Sequence, residues 1–168
     1  MIGPRVVPLA SLIWSFGVVA LVVPRMTALR EPVTAEPNQP SQPLDIALAI
    51  LRNAERFSSA GVGVAGITPN EVMAWRVISF RADAESTFLK LLDTGTPAGQ
   101  LYALAGLRFR NDSVFARKAS RFKARADQVQ TIRGCIGGAA TFGELVAEIT
   151  KGDWVRDYLR GSDYPLRP

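Results

Sequence analysis

The sequence predicts a mainly α-helical protein that consists of an N-terminal transmembrane helix, a proline-rich linker and a compact helical domain. Three observations lead to this fold class. An uncharged apolar run occupies residues 6–23, prolines are concentrated in residues 31–43, and apolar side chains then recur every three or four positions. Such spacing is typical of helices that bury one face. We therefore divide the chain into a membrane anchor at 1–30, the linker at 31–43 and a helical domain at 44–168.

The predicted anchor lies between Arg5 and Arg25, and no charged side chain interrupts its apolar run. As a helix, this run would be about 27 Å long, close to a hydrocarbon thickness of about 30 Å. A cleaved signal peptide is the main alternative, although the best small-residue cleavage match, at Val33 and Ala35, lies well downstream of the run. A buried core helix is a third alternative. The large apolar residues that we expect inside the bilayer are Leu9, Leu12, Ile13, Trp14, Phe16, Val19 and Leu21.

Basic residues flank the anchor on both sides, so the orientation of the protein stays undecided. Arg5 and the amino terminus lie before the run, whereas Arg25 and Arg30 follow it. The single cysteine, Cys135, has no second cysteine in the chain with which to form a disulfide, so it gives no sign of an oxidising compartment. The predicted localisation is therefore the membrane, with a single span and with the domain on either side.

The predicted linker, residues 31–43, reads EPVTAEPNQPSQP and contains four prolines. Proline fixes the backbone φ angle and lacks an N–H donor, so this segment is expected to be extended and semi-rigid. It would hold the following domain clear of lipid or run along a neighbouring protein.

The first part of the domain is predicted to form helices separated by a loop of small residues. Apolar side chains spaced by three and four positions predict a helix over 44–57. The glycine-rich stretch 58–66 has neither a Walker A ending nor a dinucleotide fingerprint, so we interpret it as a mobile loop. The run from Thr68 to Glu71 matches a capping box. It predicts a helix to about Arg81 that is the most buried of the domain, with a strand as the second choice.

A helical hairpin is predicted next. Its parts are a helix over 82–92, a turn that contains Gly95 and Pro97, and a second helix that reaches Leu107. This hairpin resembles one unit of a HEAT or armadillo-type repeat. The resemblance covers the hairpin alone, and no second copy follows at a period of about 40 residues. A compact helical bundle fits the same residues, and the resemblance implies no function.

Basic side chains are concentrated between Arg108 and Arg125, where seven Lys and Arg residues accompany one acid, Asp112. Their spacing predicts a basic amphipathic helix over 113–126, capped by Asp112. Such a face suits an acidic partner surface or anionic lipid headgroups, and a solvated helix face is the structural alternative. Nucleic acid is not an expected partner, because the aromatic residues of this helix lie on its apolar side. The predicted docking residues are Arg117, Lys118, Arg121 and Arg125.

The last part of the domain is predicted to contain one extended segment and two helices. Residues 129–138 read as a strand or an extended connection, within which Cys135 is expected to be buried and structural. A capping box from Thr141 to Glu144 predicts a helix that ends at Gly152. A final short helix is expected over 153–159.

The absence of histidine is the main constraint on function. It excludes histidine-based catalytic triads, histidine-ligated haem or chlorophyll, and most zinc sites. The single cysteine excludes a cysteine metal cluster or a dithiol motif. No cofactor, metal site or catalytic residue is therefore predicted, and the protein is not expected to be an enzyme.

The sequence therefore favours a non-catalytic single-pass membrane protein that acts as an accessory or structural subunit, or as a scaffold, of a larger membrane complex. Its expected partners are membrane lipid and other subunits, and respiratory and photosynthetic complexes are not distinguished. A first alternative is a secreted or periplasmic binding domain released by signal cleavage. A second is a histidine-free enzyme that uses carboxylates, which requires a ligand pocket beside residues 58–66.

Overall fold

The computed structural model describes residues 42–160, which form seven α-helices, a 3-10 turn and a three-stranded sheet. The predicted anchor and most of the linker lie outside the described residues. No helix between residues 42 and 160 is long and apolar enough to cross a bilayer. The elements are α1 Gln42–Arg52, β1 Arg56–Val62, α2 Asn70–Ser79, α3 Ala84–Thr94, α4 Pro97–Arg110, α5 Asp112–Ala119, the 3-10 turn Ser120–Phe122, β2 Gln128–Gly134, β3 Ile136–Thr141, α6 Phe142–Lys151 and α7 Asp153–Leu159.

The sheet has the order β1-β2-β3, with β1 parallel to β2 and β2 antiparallel to β3. The predicted helix over 44–57 ends earlier, at Arg52, and Phe57 is fully buried in β1. The mobile loop predicted over 58–66 is wrong for its first half, because residues up to Val62 belong to this strand. Serine, alanine and glycine have low strand propensity, and burial of the segment among helices overrides that propensity. The domain is mainly helical but not all-α.

The single extended segment predicted over 129–138 is instead two strands, β2 and β3, which form an antiparallel hairpin. Arg133 pairs with Ile136, so Gly134 and Cys135 form the two-residue connection. Gly134 has a φ angle of 55°, which a residue without a Cβ adopts readily. The expectation that Cys135 is buried is wrong: its side chain is exposed, because it occupies the tip of the hairpin.

Helix α4 is the most buried helix of the described domain, and the prediction that α2 holds this place is wrong. Residues 101–105 of α4 are all buried, whereas Met73 and Val77 of α2 are 49% and 44% exposed. Two glycines allow the close packing of α4. A Cβ on Gly99 would overlap the carbonyl oxygen of Leu51 in α1, and one on Gly106 would overlap the ring of Phe88 in α3.

Two of the predicted helix caps are formed in the structure, and a third is not. Thr96 accepts a hydrogen bond from the Gly99 N–H at 3.1 Å, so the predicted hairpin of α3 and α4 is confirmed with its cap. The Thr141 and Glu144 capping box is also complete. The capping box expected at Thr68 is not formed, since α2 starts one residue later and has Pro69 at its N-cap position.

Strand β1 has its outer edge, the one that faces away from β2, closed by side chains. The Ser58 N–H donates to the Tyr102 hydroxyl oxygen at 2.9 Å, and the Tyr158 hydroxyl donates to the Ser58 carbonyl oxygen at 2.9 Å. The Ala60 N–H donates to Asp157 Oδ2 at 2.7 Å. The Phe57 ring packs against Tyr102 with ring centroids 4.9 Å apart. Helices α4 and α7 are therefore attached to the strand by hydrogen bonds as well as by apolar contact.

The two buried tyrosines, Tyr102 and Tyr158, predict that the free energy of unfolding falls at alkaline pH. Burial raises the pKa of Tyr102 and of Tyr158 above the ordinary value of 10.0. Their stabilising contribution is complete below about pH 10, where both states bind the phenolic proton, and is lost as pH rises further because only the unfolded chain ionises. Each tyrosine should contribute a slope of about 1.4 kcal/mol per pH unit above that point. Urea unfolding between pH 8 and pH 11 measures it.

The Tyr158→Phe variant is the control for this prediction. It removes one of the two titrating groups, so its loss of stability above pH 10 should be about half as steep as in the unmodified protein. An unfolding free energy that does not change between pH 9 and pH 11 in the unmodified protein would contradict the assignment.

Candidate functional site

A cavity of about 510 Å³ opens where the carboxyl ends of β1 and β2 meet. Parallel strands end at the same edge of a sheet, and in open α/β sheets this edge is a common place for ligands. The sheet side of the cavity is formed by Ser59 and Gly61 of β1 and by Arg133 and Gly134 of β2. The helical side is formed by Glu148, Lys151, Asp153, Trp154 and Asp157.

Arg133 is fixed in the cavity wall by two contacts. Its guanidinium lies over the Trp154 ring, 4.4 Å from the ring centroid, and it forms an ion pair with Glu148. The Trp154 Nε1–H donates to Glu148 Oε2 at 3.0 Å. The three side chains therefore hold one another in place, with the Trp154 ring buried beneath Arg133 and the polar groups of Arg133 and Glu148 at the cavity.

The strand side of the cavity is held by hydrogen bonds from the Ser59 and Asp157 side chains to backbone groups and by one bond between backbone groups. The Ser59 hydroxyl oxygen accepts from the Gly134 N–H at 3.1 Å and donates to the Gly61 carbonyl oxygen at 3.0 Å. The Gly63 N–H donates to the Gly134 carbonyl oxygen at 2.9 Å. Asp157 adds its bond to the Ala60 N–H. The cavity therefore has a preformed floor.

The charges of the cavity are only partly neutralised within the protein. Glu148 is paired with Arg133, and Asp153 is paired with Arg156 outside the cavity lining. The Lys151 ammonium has no ion-pair partner between residues 42 and 160. Asp157 accepts one backbone N–H and has lone pairs left over. The cavity thus offers one cation, Lys151, and one carboxylate, Asp157, to a ligand. Among residues 42–160, no three acidic or cysteine side chains are grouped so that they could hold a metal ion.

The predicted docking residues lie on α5 and on the segment after it. Arg117 and Arg121 are exposed, Lys118 is half-buried, and none of the three has an ion-pair partner in the described part of the chain. The basic helix expected over 113–126 is wrong in extent, because α5 ends at Ala119 and a 3-10 turn follows. The cap also differs from the prediction.

The helix cap is Asn111, whose Oδ1 accepts from the Val114 N–H at 3.2 Å. Asp112, the predicted cap, instead forms an ion pair with Arg108 at 2.5 Å. The buried side of α5, with Phe115 and Ala119, faces the core as the sequence predicted. Arg117 and Lys118 of α5, together with Arg121 of the 3-10 turn that follows, form the group that we call the basic surface.

Arg125, the fourth predicted docking residue, lies apart from the basic surface. Its guanidinium donates to Gln100 Oε1 at 2.6 Å, forms an ion pair with Asp127 and lies 4.1 Å from the centroid of the Phe142 ring. These contacts join α4 to the start of α6. Docking through Arg125 stays a prediction, but within the domain this side chain is already held by three neighbours.

The cavity residues were not among the sequence candidates. Ser59 and Asp157 are almost a hundred positions apart in the chain, so no local spacing connects them. The signal that links them is the parallel pairing of β1 with β2, which places both strand ends at one edge. Because the sequence did not reveal β1 as a strand, that signal could not be used.

Comparison of the chain with models of protein families, with curated proteins and with solved structures found no match.

The contacts of Arg125 predict that it is a stability residue, in contrast to Arg121. The Arg125→Ala variant should lower the free energy of unfolding by about 1–2 kcal/mol, since it removes a cation–π contact and a hydrogen-bonded ion pair at a helix junction. The Arg121→Ala variant removes an exposed side chain without a described partner and should change it by less than about 0.5 kcal/mol. Chemical denaturation of both variants measures the difference. Equal losses would show that the junction contacts contribute nothing.

Proposed function

We propose that this chain is a non-catalytic single-pass membrane protein whose helical domain serves as an accessory or structural subunit, or as a scaffold, of a larger membrane complex. The observation that supports this function best is the basic surface. Arg117 and Arg121 are exposed, Lys118 is half-buried, and no described acid forms an ion pair with any of the three. An unneutralised cationic surface is complementary to an acidic face of a partner protein.

The proposed anchor and linker would keep this surface near the bilayer. A chain of 13 residues, 31–43, spans up to about 40 Å at polyproline rise. That length lets the domain reach the extramembrane part of a neighbouring subunit. A surface of anionic lipid would also attract the same residues, by about 1 kcal/mol for each basic side chain close to it. We assign the basic surface to an acidic protein face, and lipid binding is an outcome of the test below.

Charge reversal tests this assignment on the full chain in its native membrane. The triple variant Arg117→Glu, Lys118→Glu and Arg121→Glu should release the domain from co-purifying subunits after mild detergent extraction. The matched control reverses Arg52, Arg56 and Lys90, which gives the same net charge at exposed positions elsewhere. The control should keep its partners, and native-size analysis separates the two results.

Three outcomes would count against the proposal. A lone 18.2 kDa species from unmodified membranes would oppose the complex-subunit role. Loss of partners in both variants would show a general charge effect. Recovery of the reversed protein with its partners intact, but with weaker retention on vesicles that contain anionic lipid, would assign the basic surface to lipid instead. The mass of the mature N-terminus completes the test, since a cut before Glu36 supports the secreted or periplasmic alternative.

The cavity favours a second candidate function, binding of a small ligand. A pocket beside residues 58–66 is what the enzyme alternative required, and Ser59 and Gly61 line one. Its three acids, Glu148, Asp153 and Asp157, already accept hydrogen bonds within the protein, which suits binding better than proton transfer. A small zwitterion, such as an amino acid, is complementary to the Asp157 carboxylate and to the Lys151 ammonium, which has no ion-pair partner among the described residues.

Thermal unfolding with a panel of free amino acids tests this candidate. At least one should raise the melting temperature, because binding to the folded state stabilises it. The Lys151→Ala variant should bind that amino acid about tenfold more weakly, since it loses a charge-assisted contact. The Lys90→Ala variant, with an exposed lysine outside the cavity, should bind it unchanged. Absence of any thermal shift, or equal weakening in both variants, would remove the candidate.

A further inference from the structure

The outer edge of β3 is the one that faces away from β2. In its central part, the backbone N–H and C=O groups have no hydrogen-bond partner among the described residues. The Phe142 N–H donates to the Asp127 carbonyl oxygen at 2.8 Å, so every second residue before it, Gly138 among them, directs its peptide groups toward β2. Gly137 and Ala139 therefore direct their N–H and C=O groups away from β2. No hydrogen bond from the described residues reaches these outward groups.

Two features limit this open edge. At one end, the Thr141 N–H also faces outward, but it donates to Glu144 Oε2 at 2.8 Å as part of the capping box. At the other end, the chain turns back into β2 through Gly134 and Cys135. The free peptide groups are therefore confined to the segment between the turn and the cap of α6.

The two edges of the sheet differ in how they are protected. The outer edge of β1 is closed by Tyr102, Tyr158 and Asp157. Strand β3 has no charge, no proline and no bulge in its register with β2, and residues 136–139 are exposed. These are the devices by which a monomer usually keeps an edge strand from pairing with another chain. Their absence at one edge leaves that edge ready for pairing.

We propose that a second copy of this chain pairs with this edge, β3 against β3 in antiparallel orientation, about a two-fold axis through Gly138. In this register Gly137 lies opposite Ala139 of the partner subunit, and the two residues exchange N–H···O=C hydrogen bonds in both directions. The second pair, Ala139 with Gly137 of the partner subunit, is related to the first by the two-fold axis and exchanges the same two hydrogen bonds. Every outward peptide group between the turn and the capped Thr141 is then used.

The side chains of the strand fit the same register. Ile136, which is 76% exposed, lies opposite Ala140 of the partner subunit and gains an apolar neighbour. Because β3 has no charged side chain, two identical strands meet without like-charge repulsion. A two-fold contact of this kind is closed, so it stops at a dimer with a continuous six-stranded sheet. The basic surface takes no part in it, so this inference is independent of the proposed complex-subunit role.

Disulfide trapping tests the register directly. Gly138 lies opposite its own copy at a non-hydrogen-bonded position, where Cα atoms in an antiparallel pair are about 4.5 Å apart and within disulfide range. A Cβ at this position meets only the Thr131 hydroxyl oxygen, at 3.7 Å. In a Cys135→Ser background, the Gly138→Cys full chain in detergent should form a covalent dimer under mild oxidation. The control places the single cysteine at Ala147, an exposed position on α6, and should oxidise at least tenfold more slowly.

A second variant tests the hydrogen bonds without cysteine. Ala139→Pro removes an N–H that points away from β2, so the hairpin should survive, as proline does on edge strands. Sedimentation should show a dimer for the unmodified chain and a monomer for the proline variant, with unchanged circular dichroism. A monomeric unmodified chain, or equal oxidation rates at positions 138 and 147, would overturn the proposal. If the proline variant unfolds, the trapping rates decide alone.

Discussion

Strand β1 is buried among helices, so the peptide groups on its outer edge cannot bond to water and need hydrogen-bond partners within the protein. A buried N–H or C=O without a partner costs about 1–3 kcal/mol. Within residues 42–160 no further strand lies beside β1 on that side, so Tyr102 from α4 and the pair Asp157 and Tyr158 from α7 supply the hydrogen bonds. Helices from the middle and the end of the domain are therefore tied to one strand.

The same arrangement positions the surfaces that carry the functional proposals. Asp157 accepts a hydrogen bond from the outer edge of β1 and also lines the cavity, so this part of the cavity wall is attached directly to the core. Residue 158, directly after it, is fully buried. The basic surface on α5 and the open edge of β3 belong to other elements. Binding of a ligand, an acidic partner and a second copy would therefore use separate parts of the domain.

The predictions that succeeded rest on signals within a few residues. The α3 and α4 hairpin has Thr96 and Pro97 at its turn, and α6 has a complete capping box at Thr141 and Glu144. Those that failed needed distant contacts. Thr68 does not cap α2, since the helix starts after Pro69. Apart from Ser59 and Gly61, which lie in the stretch 58–66 named by the enzyme alternative, the cavity residues could not be selected in advance, because their proximity depends on the parallel pairing of β1 with β2.

Spacing, capping residues and composition act locally, and these signals were sufficient to predict which segments are helical, where most helices begin, and that histidine chemistry is excluded. Packing between distant segments was needed to show that the small residues of β1 form a strand, that glycine-containing α4 is the central helix, and that Cys135 is exposed. Each of these outcomes depends on what packs against the segment. Burial and close approach depend on residues that are distant in the chain, so local propensity does not predict them.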